Sequence, residues 1–393
     1  MPKLTLDDLD LRGRRVLVRV DFNVPLEDGT ITDDTRIRAA LPTIRKITGS
    51  GATAILMSHF GRPKGAPDPA YSLAPVAEHL RSLIDAPVVF SEATVGDEAA
   101  RAIADAPDGA VVLLENTRFH AGETQCDADF SRQLAALGDV YVNDAFGAAH
   151  RAHASTVGVT EFVEQAAMGY LLQREVEILG DALEDPARPF VAVLGGAKVS
   201  DKIGVIRALL GKVDRLLIGG AMSYTFLKGL GHDVGSSKVE DDRTDEAFRL
   251  YDGARDQIVL PTDHVVADAF DNDAARRVVE GEIDEGMALD IGPKTREQYR
   301  SILLNAKTVI WNGPMGVFEM PNFAAGTLAV ADAIVEATRE NDALTIVGGG
   351  DSVAAITQAG YADDVTHVST GGGAMLEFLE GEALPGIAAL SDR

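Results

Sequence analysis

The sequence predicts an α/β protein with two doubly wound parallel-sheet domains, joined by a helical hinge and separated by a cleft. Three observations support this class. Short apolar runs alternate with longer segments of helical periodicity along the whole chain, as in domains with mainly parallel sheets. The 393 residues, of which 46% are hydrophobic, suffice for two separate cores. A proline-containing polar stretch near the middle of the chain divides the apolar runs into two sets.

The candidate strands are short apolar runs that we expect to be buried. In the first half they are Val16–Val20, Ala54–Met57, Val88–Phe90, Ala110–Leu114 and Val140–Val142. In the second half they are Phe190–Leu194, Arg215–Ile218, His264–Ala267, Thr308–Trp311, Thr345–Val347 and Thr366–Ser369.

An amphipathic helix is predicted over residues 168–183, because Leu172, Val176 and Leu179 recur at helical spacing. The stretch Glu184–Pro189 contains two prolines, so it ends the helix and marks a domain boundary. We therefore predict a first domain over residues 1–170, a linker helix over 171–185 and a second domain over 186–374.

Composition excludes several classes of protein. Thirty-six Lys and Arg against 61 Asp and Glu leave a formal net charge of -25, which repels nucleic acid and anionic membranes. A single cysteine, Cys126, allows no intrachain disulfide and no four-thiolate zinc site, and it suggests a reducing compartment. The first residues lack the apolar segment of a secretory signal, and no apolar run approaches the roughly 18–20 residues that span a bilayer. We expect a soluble cytoplasmic protein with no nucleic-acid or membrane partner.

In the first half, polar and basic residues follow the predicted strands, at the edge where open α/β sheets bind ligands. Arginine binds phosphate and carboxylate oxygens bidentately, so their clustering predicts a site for a compact polyanion. Histidines mixed with arginines are a poor metal site, because the guanidinium charges repel a cation. Any one of these residues alone is more often a turn cap, or an ordinary solvated or core-satisfied side chain. The residues are Asp21, Asn23, Arg36, His59, Arg62, Arg118, His120, His150, Arg151 and His153.

In the second half, four glycine clusters follow predicted strands: Gly195-Gly196, Gly219-Gly220, Gly348–Gly350 and Gly371–Gly373. Absent side chains let a nucleotide approach the backbone, as in the crevice of doubly wound domains. Lys198 and Lys202 follow the first cluster where a helix is predicted to begin, which favours phosphate. Neither a Walker A sequence nor a G-x-G-x-x-G fingerprint is present.

Two carboxylates in this half have alternative interpretations. Asp351 is suited to hold Mg²⁺ through one oxygen, with phosphates and water in the other positions, but it is equally suited to cap the helix predicted over Val353–Ala359. Ser352 is also a possible cap. Glu319 is a candidate acceptor for ribose hydroxyls. Trp311, the only tryptophan, is expected in the core.

Taken in order, eight strings resemble the phosphoglycerate kinase family over essentially the whole chain: VDFNVP, SHFGRPKG, LLENTRFH, YVNDAFGAAHRAHAS, LGGAKVSDK, WNGPMGVFE, GGGDS and STGGGA. The resemblance implies reversible transfer of the acyl phosphate of 1,3-bisphosphoglycerate to MgADP, giving 3-phosphoglycerate and MgATP. It also implies in-line transfer after domain closure and a C-terminal tail, residues 375–393, that returns to the first domain. We expect the enzyme to be a monomer. Phe60 and Thr117 depart from the aliphatic residues commoner in the family, without touching a charged ligand.

The resemblance also assigns roles to individual residues. For glycerate binding it implies Asp21, Asn23, Arg36, His59, Arg62, Arg118 and Arg151. For catalysis it implies Arg36, Lys198, Lys202 and Gly372. For nucleotide binding it implies Lys202, Gly219, Gly220, Gly292, Asn312, Glu319, Gly348, Gly349, Gly350, Asp351 and Ser352, with Asp351 as the magnesium ligand.

The chemistry agrees with these roles. In the ATP-consuming direction the nucleophile is a carboxylate that is already ionised at neutral pH, so no general base is required. A loose transition state is stabilised electrostatically, and closure would exclude competing water. Another ATP-dependent carboxylate kinase is the alternative enzyme. An NAD-dependent dehydrogenase is disfavoured by the missing fingerprint, and a non-catalytic anion sensor by the presence of both Arg36 and Lys198.

Overall fold

Residues 2–393 are described by a computed structural model in which the chain forms two units. The first consists of the residues up to Glu177 together with Ala383–Arg393, and the second of Ile178–Glu382. No helix in the described part of the chain combines the length and the apolarity needed to cross a membrane.

The first unit is built on a six-stranded parallel sheet with the order β5-β6-β4-β1-β7-β8. A two-stranded hairpin, β2-β3, lies outside this sheet. The strands are β1 (Arg15–Val20), β2 (Leu26–Glu27), β3 (Thr30–Ile31), β4 (Thr53–Met57), β5 (Val88–Ser91), β6 (Val111–Leu114), β7 (Val140–Asp144) and β8 (Ala166–Met168).

Helices connect these strands and bury their apolar faces against the sheet. Val16, Val18 and Val20 of β1 pack in one core with Ile37 and Ile44 of the first helix, and all five are fully buried. Strands buried on both faces lack polar alternation, which is why their apolar runs are legible in the sequence. The helices are α1 (Thr35–Gly49), α2 (Ala74–Arg81), α3 (Gly96–Ala104), α4 (Ala121–Gln125), α5 (Ala128–Ala135) and α6 (Tyr170–Glu184).

The second unit contains a six-stranded parallel sheet and a separate antiparallel sheet of three strands. The parallel sheet has the order β11-β10-β9-β15-β16-β17, and the antiparallel sheet has the order β13-β12-β14. The strands are β9 (Phe190–Leu194), β10 (Arg215–Ile218), β11 (Ile258–Val259), β12 (Asp263–Ala267), β13 (Arg276–Glu280), β14 (Met287–Ile291), β15 (Thr308–Asn312), β16 (Leu344–Gly348) and β17 (His367–Val368).

Trp311 of β15 is fully buried in the core of this unit, as predicted, and its Nε1 donates to the Gly313 carbonyl (2.8 Å). The helices that follow in the chain are α7 (Ile203–Leu210), α8 (Met222–Gly229), α9 (Thr244–Gly253), α10 (Pro293–Leu303), α11 (Ala325–Asn341), α12 (Gly350–Gln358), α13 (Gly373–Glu380) and α14 (Pro385–Ala388).

The C-terminal segment Ala383–Arg393, which includes α14, packs on the first unit. The Gly386 amide donates to the Ala149 carbonyl (2.8 Å), and Asn143 Nδ2 donates to the Gly386 carbonyl (3.0 Å). Farther along, the Ser391 amide donates to the Ala166 carbonyl (2.9 Å). The tail is therefore held on the first unit by hydrogen bonds of both backbone and side-chain groups.

The prediction of two parallel-sheet α/β domains is confirmed, and most strand positions agree within one or two residues. The prediction for His264–Ala267 is correct as a strand, but the strand lies in the antiparallel sheet. The strands β2, β3, β8, β11, β13 and β14 were not predicted. The linker helix begins at Tyr170 rather than at 168, because Met168 pairs with Asn143 in the sheet.

The boundaries of the two units differ from the predicted domain limits at 170, 185 and 374. The first boundary falls inside α6, after Glu177. The chain rejoins the first unit at Ala383 rather than at 375, because α13 packs on α7 of the second unit.

Candidate active site

In the first unit, the strand order reverses at β1, since the chain moves first to β4 on one side and later to β7 on the other. Ligands of open α/β sheets bind at the carboxyl ends of the strands at such a switch point. The segments that follow β1, β4, β6 and β7 carry six of the seven predicted glycerate-binding residues, and the seventh, Arg36, lies in the first turn of α1. The fold thus brings these segments to one edge of the sheet.

Asp21, Asn23 and Arg36 form a group of contacts beyond β1. Arg36 Nη1 donates to the Asn23 carbonyl (2.7 Å) and lies 3.5 Å from Asp21 Oδ2. The Asn23 side chain in turn accepts from the Gly61 amide (2.8 Å) through Oδ1. These contacts tie the segment after β1 to the segment after β4.

His59 is buried, and its ring contacts a buried arginine. Arg19 Nη2 lies 3.0 Å from His59 Nδ1. Because a guanidinium can only donate, Nδ1 must be the acceptor, so the proton of the neutral ring lies on Nε2. Burial, and then the charges of neighbouring arginines beginning with Arg19, hold the pKa of His59 well below its ordinary value. Asp21 Oδ1, 3.8 Å from Nδ1, therefore faces an uncharged imidazole.

Arg118 lies half-buried at the same edge. Its Nη1 donates to the Gly61 carbonyl (2.7 Å), whereas its buried Nε has no hydrogen-bond partner among residues 2–393. Burial, followed by the charges of Arg151 and Arg19, lowers the pKa of this guanidinium. The charge of Arg62 acts in the same direction. Arg62 and Arg151 are exposed, and Arg151 Nε donates to His150 Nε2 (3.0 Å). Like charges converge on this edge, which is the arrangement expected for binding an anion.

Sequence reasoning missed Arg19, whose side chain is 1% exposed. Its Nε donates to Ser155 Oγ (2.7 Å), and Nη1 donates to the Val20 carbonyl. Ser155 Oγ donates in turn to the buried carboxylate of Glu123 (2.6 Å). A single charged residue within the apolar run of β1 was the available signal, since a buried arginine must find several acceptors.

Two of the predicted histidines contact neighbouring side chains of the protein. His120 stacks on Phe130 with 4.7 Å between the ring centroids. His153 Nδ1 lies 3.9 Å from Glu123 Oε1, and burial lowers its pKa to about 4. Neither is charged at neutral pH, so the positive charge at this edge comes from the arginines.

In the second unit, the strands of the parallel sheet run 3-2-1-4-5-6 in chain order, with the switch point between β9 and β15. The loops beyond these two strands cross closely: the Gly195 amide donates to the Asn312 carbonyl (3.0 Å) and the Gly196 amide to the Pro314 carbonyl (3.1 Å). A Cβ on Gly220 would lie 2.6 Å from backbone atoms of Gly196. Glycine is needed at this position because the two loops cross so closely, whether or not a ligand is bound.

Lys202 is nine-tenths buried beside the end of β15 and directly precedes α7. Its Nζ donates to the Asn312 carbonyl (3.1 Å) and to Asn312 Oδ1. Burial lowers the pKa of Lys202 to about 8, partly offset by the charges of Asp351 and Asp201. Asn312 Nδ2 is buried without a hydrogen-bond partner in the described part of the chain, so it is a donor available to a ligand.

The cluster Gly348–Gly350 ends β16 and begins α12. A Cβ on Gly349, which has φ +90°, would lie 2.9 Å from Asn312 Nδ2. Asp351 lies exposed in the first turn of this helix, and Ser352 Oγ accepts from the Gly313 amide (2.5 Å). Of the two carboxylate roles considered for Asp351, capping is not observed, because no side chain caps α12. Gly372 precedes α13 with φ +51°.

For three of the predicted nucleotide-site residues, the observed contacts differ from those that a binding role requires, or are few. Lys198 and Glu319 are exposed side chains. Gly292 lies at the end of β14, and a Cβ there would meet the carboxylate of Asp263, which accepts from the Lys294 amide (2.9 Å) and the Thr295 amide (2.8 Å) at the start of α10. The observed need for glycine at 292 is this packing, and its role in nucleotide binding stays a prediction.

The polar groups at the glycine-rich edge of the second unit are chemically suited to a magnesium nucleotide. No group of three or more His, Cys, Asp or Glu side chains within residues 2–393 could hold a metal ion without other ligands. The exposed carboxylate of Asp351 suits Mg²⁺, which keeps several waters and takes its remaining oxygens from substrate phosphates.

Similarity to known proteins extends over almost the whole chain. The profile of the phosphoglycerate kinase family matches residues 6–382. The phosphoglycerate kinase of Salinibacter ruber is 61% identical over 398 residues, which cover 100% of both chains. That of Clostridium novyi is 55% identical over 398 residues, covering 100% of this chain and 99% of the relative.

Solved structures agree with these relatives. Phosphoglycerate kinase from Coxiella burnetii superimposes with a TM-score of 0.87 at 40% identity and covers 99% of each chain. The enzyme from Pyrococcus horikoshii OT3 gives a TM-score of 0.87 at 35% identity and covers 98% of each chain.

Proposed function

The chain belongs to the phosphoglycerate kinase family, and from this premise we propose which of its residues bind each substrate. Its activity is reversible transfer of a phosphoryl group between 1,3-bisphosphoglycerate and ADP, giving 3-phosphoglycerate and ATP. The phosphoglycerate binds at the edge of the first unit formed by Asp21, Asn23, Arg36, His59, Arg62, Arg118 and Arg151. One observation supports this most strongly: Arg62, Arg118 and Arg151 converge without forming an ion pair with any carboxylate of the described residues.

Like charges held together in the free protein raise its energy, and a bound anion relieves that repulsion. Arginine guanidiniums and the Nε2–H of neutral His59 offer donors for the phosphate and carboxylate of phosphoglycerate. Arg36, held by the Asn23 carbonyl and close to Asp21, has its remaining donors for the migrating phosphoryl group. In the ATP-consuming direction the substrate carboxylate attacks as an ionised nucleophile, so these residues act by positioning and charge rather than by proton transfer.

The nucleotide binds at the glycine-rich edge of the second unit. Lys202 and the exposed Lys198 supply positive charge to its phosphates, with Asn312 Nδ2 and the backbone amides near the starts of α7, α12 and α13 as further donors. In this proposal Gly219, Gly220 and Gly292 line the adenine pocket, Glu319 accepts from the ribose and Gly372 lies beside the transferred group. Asp351 would hold Mg²⁺, which neutralises charge on the phosphates when bound.

We propose two further properties of the protein, its compartment and its oligomeric state. A chain with one half-buried cysteine and no disulfide is suited to a reducing cytoplasm. We also propose that it acts as a monomer, because each unit has its own core. Sedimentation at micromolar concentration tests the oligomeric state, and a dimer mass would contradict it.

Calorimetric titration with the Arg118→Ala variant tests the glycerate site. We expect 3-phosphoglycerate affinity to fall by about ten- to a hundredfold, the loss of a charge-assisted contact, with MgADP affinity unchanged. Arg101→Ala is the matched control, since Arg101 is exposed on α3 and its side chain donates to the Asp97 carbonyl of its own helix. Equal 3-phosphoglycerate affinity in both variants would remove Arg118 from the site. Turnover of acetate in place of 3-phosphoglycerate would favour a different carboxylate kinase.

A further inference from the structure

Asn116, which follows β6, is fully buried and uses its whole hydrogen-bonding capacity. Its Oδ1 accepts from the Phe60 amide (3.1 Å) and the Arg118 amide (3.0 Å). Its Nδ2 donates to the Phe60 carbonyl (2.7 Å) and the Tyr71 carbonyl (2.9 Å). An amide has two donor hydrogens and two acceptor lone pairs, and all four are satisfied by backbone groups.

Three of these four bonds go to the segments that carry the proposed phosphoglycerate ligands. Phe60 follows His59 directly and lies two residues before Arg62, while Arg118 is itself a ligand. Asn116 therefore fixes the backbone of one segment relative to the backbone of the other. The same two segments meet a second time where Arg118 Nη1 donates to the Gly61 carbonyl.

The neighbouring Glu115 performs a separate anchoring task, which helps to isolate the role of Asn116. Its carboxylate accepts from the Leu73 amide (2.9 Å), the Asn116 amide (2.8 Å) and Ser72 Oγ (2.7 Å). Glu115 thus holds the chain entering α2. Asn116 contacts the binding segment itself, through both the backbone N–H and the carbonyl of Phe60.

We propose that Asn116 is a positioning residue for phosphoglycerate binding, which sets the distance between the segment bearing His59 and Arg62 and the segment bearing Arg118. The inference rests on the proposed function of this edge of the first unit. Asn116 does not touch the substrate; it acts through the backbone of its neighbours. An aspartate there would turn an oxygen toward the carbonyls of Phe60 and Tyr71, which offer no proton, so the site requires an amide.

Steady-state kinetics of Asn116→Asp and Asn116→Ala test the proposal. We expect kcat/KM for 3-phosphoglycerate to fall by about ten- to a hundredfold, the scale for a misplacement of about 1 Å, while KM for MgATP changes less than about twofold. The matched control is Ser131→Ala, which removes a hydrogen bond made by another fully buried side chain of the first unit, to the Asp127 carbonyl (2.7 Å). It is expected to lower thermal stability and leave both kinetic parameters unchanged.

A double-mutant cycle separates positioning from general damage to the fold. If Asn116 acts through Arg118, its loss should matter less in the Arg118→Ala background, giving a clearly non-additive effect. Full additivity, or an equal rise of both KM values, would overturn the inference. A result in which Arg118→Ala itself leaves 3-phosphoglycerate binding intact would instead contradict the proposed binding site, so the two failures are distinguishable.

Discussion

Asp144, at the end of β7, is a buried carboxylate whose ionisation should make the stability of the protein depend on pH. Its side chain is 0% exposed. Oδ1 accepts from the Leu171 amide (2.9 Å) and the Leu172 amide (3.3 Å) in the first turn of α6, while Oδ2 has no partner among the described residues. Burial is the main cause that raises the pKa of Asp144 from 3.8 to about 7.

The sign of the effect follows from proton linkage. Because the folded-state pKa is raised, the folded protein retains a proton that the unfolded chain has released, so the free energy of unfolding falls as the pH rises. The contribution of Asp144 is fully present below its ordinary pKa of 3.8 and is lost as the pH passes through about 7. At about 1.36 kcal/mol for each pH unit, the interval is worth about 4 kcal/mol, of which about 3 kcal/mol falls between pH values of about 5 and 8.

Asp144→Asn tests this, because the amide keeps the Oδ1 acceptor and cannot ionise. We expect the free energy of unfolding of the variant, relative to that of the parent protein, to increase by about 3 kcal/mol as the pH is raised from about 5 to about 8. Urea unfolding followed by far-UV circular dichroism at both pH values measures the difference. The same pH dependence in both proteins would show that Asp144 does not titrate with a raised pKa.

Asp290→Asn is the contrasting control. Its pKa is likewise raised to about 7 by burial, but both of its oxygens accept backbone amides, from Ile291 (2.9 Å) and Gly326 (2.7 Å). An asparagine would place one NH₂ against a backbone N–H. We expect this variant to lose about 1–3 kcal/mol at low pH, where Asp144→Asn is close to neutral.

Four further outcomes are expected. Arg36→Ala should lower kcat by about two to three orders of magnitude, the scale for one group that stabilises transition-state charge, and a near-normal kcat would contradict that role. Asp351→Asn should weaken the dependence of activity on magnesium nucleotide while 3-phosphoglycerate affinity is retained; equal loss of both would indicate structural damage. Since the formal net charge is -25, raising KCl from about 0.01 to 1 M should raise the thermal midpoint by screening self-repulsion, and a constant midpoint would oppose this. Small-angle scattering should show a smaller radius of gyration with both substrates than with neither, because transfer requires the substrates to meet; an unchanged radius would count against closure.

The predictability of the fold varies with the kind of strand. Phe190–Leu194 and Arg215–Ile218 were predicted to the residue, because strands buried on both faces are continuous apolar runs. Ile258–Val259 is too short to show a pattern. Arg276–Glu280 is an exposed strand of the antiparallel sheet in which apolar residues are a minority. Very short strands and exposed strands can be identified only from the strands with which they pair.

The candidate site was predictable where ligands project from strand ends. Arg118 and Lys202 were selected on their positions after apolar runs, and the structure places each at the carboxyl edge of its sheet. Arg19 and Asn116 were not selected, because their importance lies in contacts with residues distant in sequence. Arg19 reaches Ser155, and Asn116 reaches Phe60 and Tyr71. A single sequence contains no direct record of such pairings.

We propose that the arginine-lined edge of the first unit binds phosphoglycerate and that the glycine-rich edge of the second binds the magnesium nucleotide. A crystal structure with 3-phosphoglycerate and a magnesium complex of a non-hydrolysable ATP analogue would locate both ligands at once. We expect the phosphoglycerate in contact with Arg36, Arg62 and Arg118, and the nucleotide phosphates near Lys202 with the metal on Asp351. Density for either ligand at the opposite unit, or away from both edges, would contradict it.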